Sequence, residues 1–152
     1  LDDVHKLLFV CSGNINRSPM AEVMADTVAM QHAVEIEARS AGTLQLVDRP
    51  CPRPLIAVAR EVGLDLSRHR SQGLTAELLD WADHVVVMEP AHAEWILTTF
   101  PDRDDRITQL GPLIGRSHID DPHGSWFKGP YRRMRDDVRK GLERFVASAL
   151  AR

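Results

Sequence analysis

Leu7-Leu8-Phe9-Val10-Cys11-Ser12-Gly13-Asn14-Ile15-Asn16-Arg17-Ser18-Pro19 runs from an apolar stretch into a thiol, then through small polar residues to an arginine and a Ser-Pro pair. A short apolar run bounded by a loop reads as a buried strand, here Lys6 to Val10. Pro19 suits the first turn of a helix, with Ser18 as its cap. Met20, Val23, Met24, Thr27 and Val28 follow at helical spacing along one face. The stretch therefore reads as strand, tight loop and helix, with the thiol delivered at the strand's carboxyl end.

The same alternation continues outward. Val34 to Arg39 alternates as a second strand, and Ala41-Gly42 through Pro54 reads as loop, with Pro50, Pro52 and Pro54 in it. Leu55, Val58, Ala59 and Val62 make a helix face that Gly63 ends. Thr75 caps a short helix through Trp81, with Glu77 near its start. His84 to Met88 is a third strand, and Pro90 opens a helix that stops before Pro101. Arg106 to Leu110 is a fourth strand, followed by a Gly- and Pro-containing loop. A last helix from near Pro130 carries Tyr131, Met134, Val138, Leu142, Phe145 and Ala149 on one side.

Strands alternating with helices imply a single α/β domain over residues 1–152. Its architecture is a three-layer sandwich, a short, about four-stranded parallel sheet flanked by helices on both faces. Ligands of such sheets sit beyond the carboxyl ends of the strands, where Cys11 lies. The composition is that of a globular domain, 43% hydrophobic and 27% charged, with a formal net charge of −3. That balance gives no pull toward nucleic acid or anionic membranes, and no apolar run approaches the ~20 residues of a membrane span. With only Cys11 and Cys51, reduced thiols in a cytoplasm are the simpler reading than a disulfide framework.

A loop between a strand and a helix N-terminus can converge its backbone N–H groups on an anion, and the helix dipole favours negative charge there. Gly13 permits tight curvature. Arg17 offers a planar fork of donors for two phosphate oxygens. The same field would favour the thiolate of Cys11 as a nucleophile. Together these describe a cradle for a tetrahedral oxyanion with a sulfur beneath it. It is neither the dinucleotide nor the Walker type of glycine loop.

Val10 to Glu22, VCSGNINRSPMAE, resembles the C-x5-R-S phosphate-binding signature of the low-molecular-weight protein tyrosine phosphatases. Ser40-Ala41-Gly42-Thr43, the segment Leu66 to Ser71, and Asp121-Pro122-His123-Gly124 resemble further stretches of that family, and the likeness runs from about His5 to the last helix. The resemblance implies that Cys11 is the nucleophile, Arg17 the oxyanion clamp and Asp121 the general acid, with neighbouring Asp120 the second candidate. Ser12, Gly13, Asn14, Ile15, Asn16, Arg17 and Ser18 would bind phosphate. Ser18 would hydrogen-bond the sulfur rather than cap the helix, and Asn14, Ser40 and His69 would hold the cradle's shape. The implied chemistry is metal-free and cofactor-free hydrolysis of a phosphomonoester through a phosphocysteine. The implied substrate is a phosphorylated protein, a tyrosine kinase among the candidates, and the implied protein is a cytoplasmic monomer or weak dimer.

The sequence departs from the family at several points. Asn16 stands where a second cradle cysteine is frequent, so no disulfide can form within the cradle. Cys51 reads as an ordinary loop thiol, with a Cys11–Cys51 bond under oxidation as the alternative. The aromatic walls of phosphotyrosine-specific members are replaced by Thr43 to Asp48 and by His123, leaving Leu44, His123 and Trp126 as candidate walls. Phe127, beside Trp126, reads as either wall or core. Ile15 matches tyrosine-type members, whereas phosphoarginine phosphatases carry threonine there. Arsenate reductases of the same fold need further cysteines, and Ala76 to Arg116 has none. A non-catalytic oxyanion- or phosphopeptide-binding module is the remaining alternative. Arg132, Arg133, Arg135 and Arg139 read as a solvated helix face with i,i+4 partners.

Overall fold

A computed structural model describes residues 3–102 and 106–151; Leu1, Asp2 and Arg152 of the expected domain lie outside them. Four strands, β1 (Val4–Cys11), β2 (Glu35–Gly42), β3 (His84–Val87) and β4 (Ile107–Gln109), form one sheet in the order β2-β1-β3-β4. All three pairings are parallel. The helices are α1 (Arg17–Gln31), α2 (Arg53–Arg60), α3 (Ala76–Trp81), α4 (Pro90–Thr99) and α5 (Lys128–Phe145), with a 3-10 turn at Gly111–Ile114 and a π turn at Val146–Leu150.

The pleat of β1 builds two cores. Leu7, Phe9 and Cys11 face α1, α2 and α5, while Leu8 and Val10 face α3 and α4. The sheet is thus covered on both faces, as the alternation of strands and helices predicts. Leu7 through Val10 are fully buried, each worth about 1.5–3 kcal/mol on burial. A one-residue slip of β1 would exchange its two faces, so the register that pairs Cys11 with Gly42 also fixes where the thiol emerges. It emerges between β2 and β3, where the strand order reverses around β1 and parallel sheets open a crevice.

Several element boundaries differ from the sequence reading. α1 begins at Arg17, two residues before Pro19, and Ser18 lies inside the helix rather than capping it. β2 runs on through Ala41 and Gly42 because they pair with Val10 and Cys11 of β1; Gly42 also donates its N–H to the Gln72 carbonyl at 2.9 Å and bridges Gly73. Val62 falls beyond α2 and is exposed, with Gly63 in the left-handed region after it. α5 begins at Lys128, and the π turn at its end shifts the phase of the side chains, burying Leu150 and exposing Ala149. Thr75 caps α3 as expected, accepting from the Leu78 N–H at 3.2 Å.

The arginines of α5 pair across helices as well as along their own. Arg132 and Arg135 donate to the Glu61 carboxylate after α2 at 2.6 and 2.8 Å, and together they pull its pKa down to about 2. Among the described residues no helix is long and apolar enough to cross a membrane.

Candidate active site

The loop after β1 is clamped from beneath by the chain following β2. Thr43 donates its N–H to the Cys11 carbonyl at 3.0 Å and Leu44 to the Ser12 carbonyl at 2.9 Å. So close an approach requires Gly42, where a Cβ would lie 2.7 Å from the Ser12 carbonyl oxygen and 3.0 Å from the Asn14 nitrogen.

Asn14 holds the turn in the left-handed region, at φ 55°, and is fully buried. Its amide nitrogen donates to Ser18 Oγ and Ser40 Oγ, both at 2.9 Å, and its Oδ1 accepts from the Gln72 N–H at 2.9 Å. Its carbonyl accepts from His69 Nε2 at 2.8 Å, which fixes the proton on that ring nitrogen. Ser40 in turn donates to Glu22 Oε1. An asparagine at positive φ is strained by about 1–3 kcal/mol, and these bonds over-determine it.

Ser18 Oγ sits 2.9 Å from Cys11 Sγ. Because that hydroxyl oxygen accepts from Asn14, its own proton is free to point at the sulfur. The Ser18 backbone N–H also reaches Sγ at 3.5 Å. Cys11 lies at the floor of a cavity of about 190 Å3.

Arg17 is 2% exposed and is held on opposite sides. Nη1 donates to the Ile119 carbonyl at 2.8 Å and Nη2 to Glu89 Oε1 at 3.0 Å, while Nε is buried without a partner. Glu89 precedes α4, whose His92 reaches back: its Nδ1 accepts from the Glu89 N–H at 3.2 Å. Nε2 therefore carries the ring proton and donates to Ser12 Oγ at 3.0 Å. Burial, then the Arg17 charge, bring His92 down to about 4, so the ring is neutral at ordinary pH.

Asp121 reaches this group from the loop before α5. Its Oδ1 accepts from the His123 N–H at 3.0 Å and from Asn16 Nδ2 at 3.3 Å, and its Oδ2 lies 3.7 Å from Arg17 Nη2. Asp120 turns outward to His118 and Arg116 at 3.0 and 3.7 Å, which removes it from candidacy as the acid. The cavity walls are Ile15, Leu44 and Leu46, and Asp121 and His123 stand at its rim. Of the candidate walls, Leu44 and His123 line the cavity and Trp126 does not; its side chain is 91% exposed, and Phe127 beside it is also exposed rather than core. Cys51 is a loop thiol, as the sequence predicts, but a buried one in the same core as Cys11, pushed up to about 12 chiefly by burial. Among the described residues no group of three or more His, Cys, Asp or Glu side chains is placed to hold a metal ion.

Sequence reasoning missed Glu89, His92, Glu22, Gln72 and Leu46. A signal existed for Glu89. It follows the VVVM run at the carboxyl end of β3, the strand beside β1, so it lies at the same sheet edge as Cys11.

The model of the low molecular weight phosphotyrosine protein phosphatase family matches residues 6–152. A protein-arginine-phosphatase of Geobacillus stearothermophilus is 32% identical over 147 residues, covering 93% of this chain and 94% of the relative. A Ralstonia solanacearum protein named "Probable low molecular weight protein-tyrosine-phosphatase EpsP" is 33% identical over 120 residues, 79% of each chain. The solved low molecular weight protein tyrosine phosphatase from T. tengcongensis superposes with a TM-score of 0.86 at 28% identity, over 94% of this chain and 98% of that one. A thiol at the base of a C-x5-R-S cradle, a buried arginine locked above it and an aspartate brought in from the far end of the sequence agree with these likenesses, and the chain belongs to the low molecular weight phosphotyrosine protein phosphatase family.

Proposed function

We propose that Cys11, Arg17 and Asp121 hydrolyse phosphomonoesters, phosphotyrosine in proteins foremost, through a phosphocysteine. The observation that carries this reading is the opening of all three side chains onto one cavity. The Cys11 thiolate attacks phosphorus in line and the bond to the leaving oxygen breaks, while Asp121 gives that oxygen its proton. Asp121, now a carboxylate, takes a proton from water as the water's oxygen displaces sulfur and frees phosphate. Arg17 and the N–H groups of residues 12–18 hold the equatorial oxygens in both transition states.

Ile15, Leu44 and Leu46 present an apolar wall to whatever carries the phosphate. That favours an aryl group over a charged guanidinium, whose N–H groups would lose water against hydrocarbon. The 32% identity to a protein-arginine-phosphatase supports phosphoarginine as the second reading. A phosphorylated protein in the cytoplasm, such as a tyrosine kinase, fits two free thiols.

The test is turnover of p-nitrophenyl phosphate at mildly acidic pH with chelator present, in wild type and Cys11→Ser. Turnover lost in a folded Cys11→Ser protein supports the mechanism, and turnover kept there removes Cys11 from it. Phosphotyrosine and phosphoarginine peptides are then compared, with Ile15→Thr expected to move the ratio of kcat/KM toward phosphoarginine.

A further inference from the structure

Asn16 occupies a position where an asparagine ordinarily caps a helix, yet its side chain makes no cap bond to α1. The residue is 5% exposed, and its Oδ1 is buried without a hydrogen-bond partner. A buried amide that leaves its acceptor unpaired is unfavourable, and such a group in a native site calls for a reason. The other end of the same amide supplies one: Nδ2 donates to Asp121 Oδ1 at 3.3 Å, across 105 positions of sequence. Turning the amide over would set Oδ1 against a carboxylate oxygen, acceptor facing acceptor, so the orientation of Asn16 is dictated by Asp121.

The consequence for Asp121 is that its two oxygens are no longer equivalent. Oδ1 accepts two N–H bonds, from Asn16 and from the His123 backbone, which leaves it poorly placed to carry a proton toward the cavity. Oδ2 accepts no hydrogen bond among the described residues and lies 3.7 Å from Arg17 Nη2, so it is the oxygen left to carry a proton. We infer that Asn16 is a positioning residue: it holds the Asp121 carboxyl so that Oδ2 alone donates the proton in the first step and takes it from water in the second. This inference rests on the assignment of Asp121 as the acid.

The experiment is a double-mutant cycle of Asn16→Ala and Asp121→Asn, read on an alkyl phosphate and on p-nitrophenyl phosphate. Asn16→Ala keeps the backbone N–H of the cradle. The inhibition constant of inorganic phosphate, measured alongside, reports whether the cradle is intact. The expected result is a kcat loss on the order of 10-fold on the alkyl phosphate and a smaller loss on the aryl one, because only the poor leaving group needs the full help of the acid. In the Asp121→Asn background, Asn16→Ala should add less than about 2-fold. Asn16→Leu, which keeps the volume and lacks the donor, should reproduce all of this and serves if Asn16→Ala does not fold. An equal loss on both leaving groups, or an undiminished loss in the Asp121→Asn background, overturns the positioning role while leaving the acid in place. If Asp121→Asn alone is without effect, the acid assignment falls and this inference falls with it.

Discussion

Arg17 and Glu89, 72 positions apart in sequence, meet at 3.0 Å with the arginine 2% exposed. The pair holds the guanidinium from the β3 side while the Ile119 carbonyl holds it from the other. Glu89→Gln removes the charge and keeps the shape, leaving Asp121 at 3.7 Å as the nearest remaining anion. Arg17 should then be drawn toward the acid. The expected loss in kcat/KM is on the order of 10- to 100-fold, the worth of a hydrogen bond to a charged group. Steady-state kinetics on an aryl phosphate check this.

Arg17 itself separates charge from shape. Arg17→Lys should be nearly as damaging as Arg17→Ala, because an ammonium cannot reach the Ile119 carbonyl, Glu89 and two phosphate oxygens together. Inhibition by inorganic phosphate is the measurement. Tight binding retained by the lysine variant would show that a point charge suffices.

Asp121→Asn should cost on the order of 10²–10⁴ in kcat on phosphates with poor leaving groups and far less on p-nitrophenyl phosphate. The amide keeps an oxygen for the His123 N–H, which now reaches Oδ1 at 3.0 Å, so the loop should stay in place. A rate ratio between alkyl and aryl phosphates that does not change in the variant would remove Asp121 from proton transfer.

The strand and the loop after it were legible because each is local, an apolar run and a six-residue spacing. Asp121, whose Asp-Pro pair alone reads as a turn, was singled out through the family resemblance and lines the same cavity. What was not legible depends on partners far away in sequence. Glu89 and Gln72 touch the cradle only because β3 lies beside β1 and the chain before Leu74 pairs with Gly42. Ala41-Gly42 looks like a turn until Val10 and Cys11 of β1 supply its partners, which is why the end of β2 is not legible locally. Trp126 was a reasonable wall by composition, but the loop after His123 carries its side chain into solvent. Asn16 was assigned by its position in the motif, and its bond to Asp121 follows only from the fold.

Gly42 ties the stability of the sheet to the shape of the site. A methyl group there meets backbone atoms of Ser12, Gly13 and Asn14, none of which can move without opening the cradle. Gly42→Ala should therefore destabilise by about 1–3 kcal/mol, as overpacking does, and weaken phosphate binding as well. Denaturant unfolding with and without saturating phosphate measures both. Gly63→Ala is a control for conformation alone, since nothing lies within 4 Å of that position and its φ is 79°.

His92 makes a prediction in pH. Its folded value of about 4 lies below the ordinary 6.5. The unfolded chain therefore binds a proton at this residue before the folded one does. Stability from His92 is complete above pH 6.5 and is lost as pH falls toward 4. Glu61, pulled down to about 2, contributes in a lower window, between its ordinary 4.5 and 2. His84 is also lowered by burial and adds to the upper window. The difference between wild type and His92→Gln isolates His92, because glutamine can still accept from the Glu89 N–H and donate to Ser12. Unfolding midpoints taken at steps from pH 7 to 4.5 should fall more steeply in wild type than in the variant. Parallel curves would mean that His92 binds its proton in the folded protein as readily as in the unfolded chain, and that the neutral ring donating to Ser12 is not the form that holds the cradle.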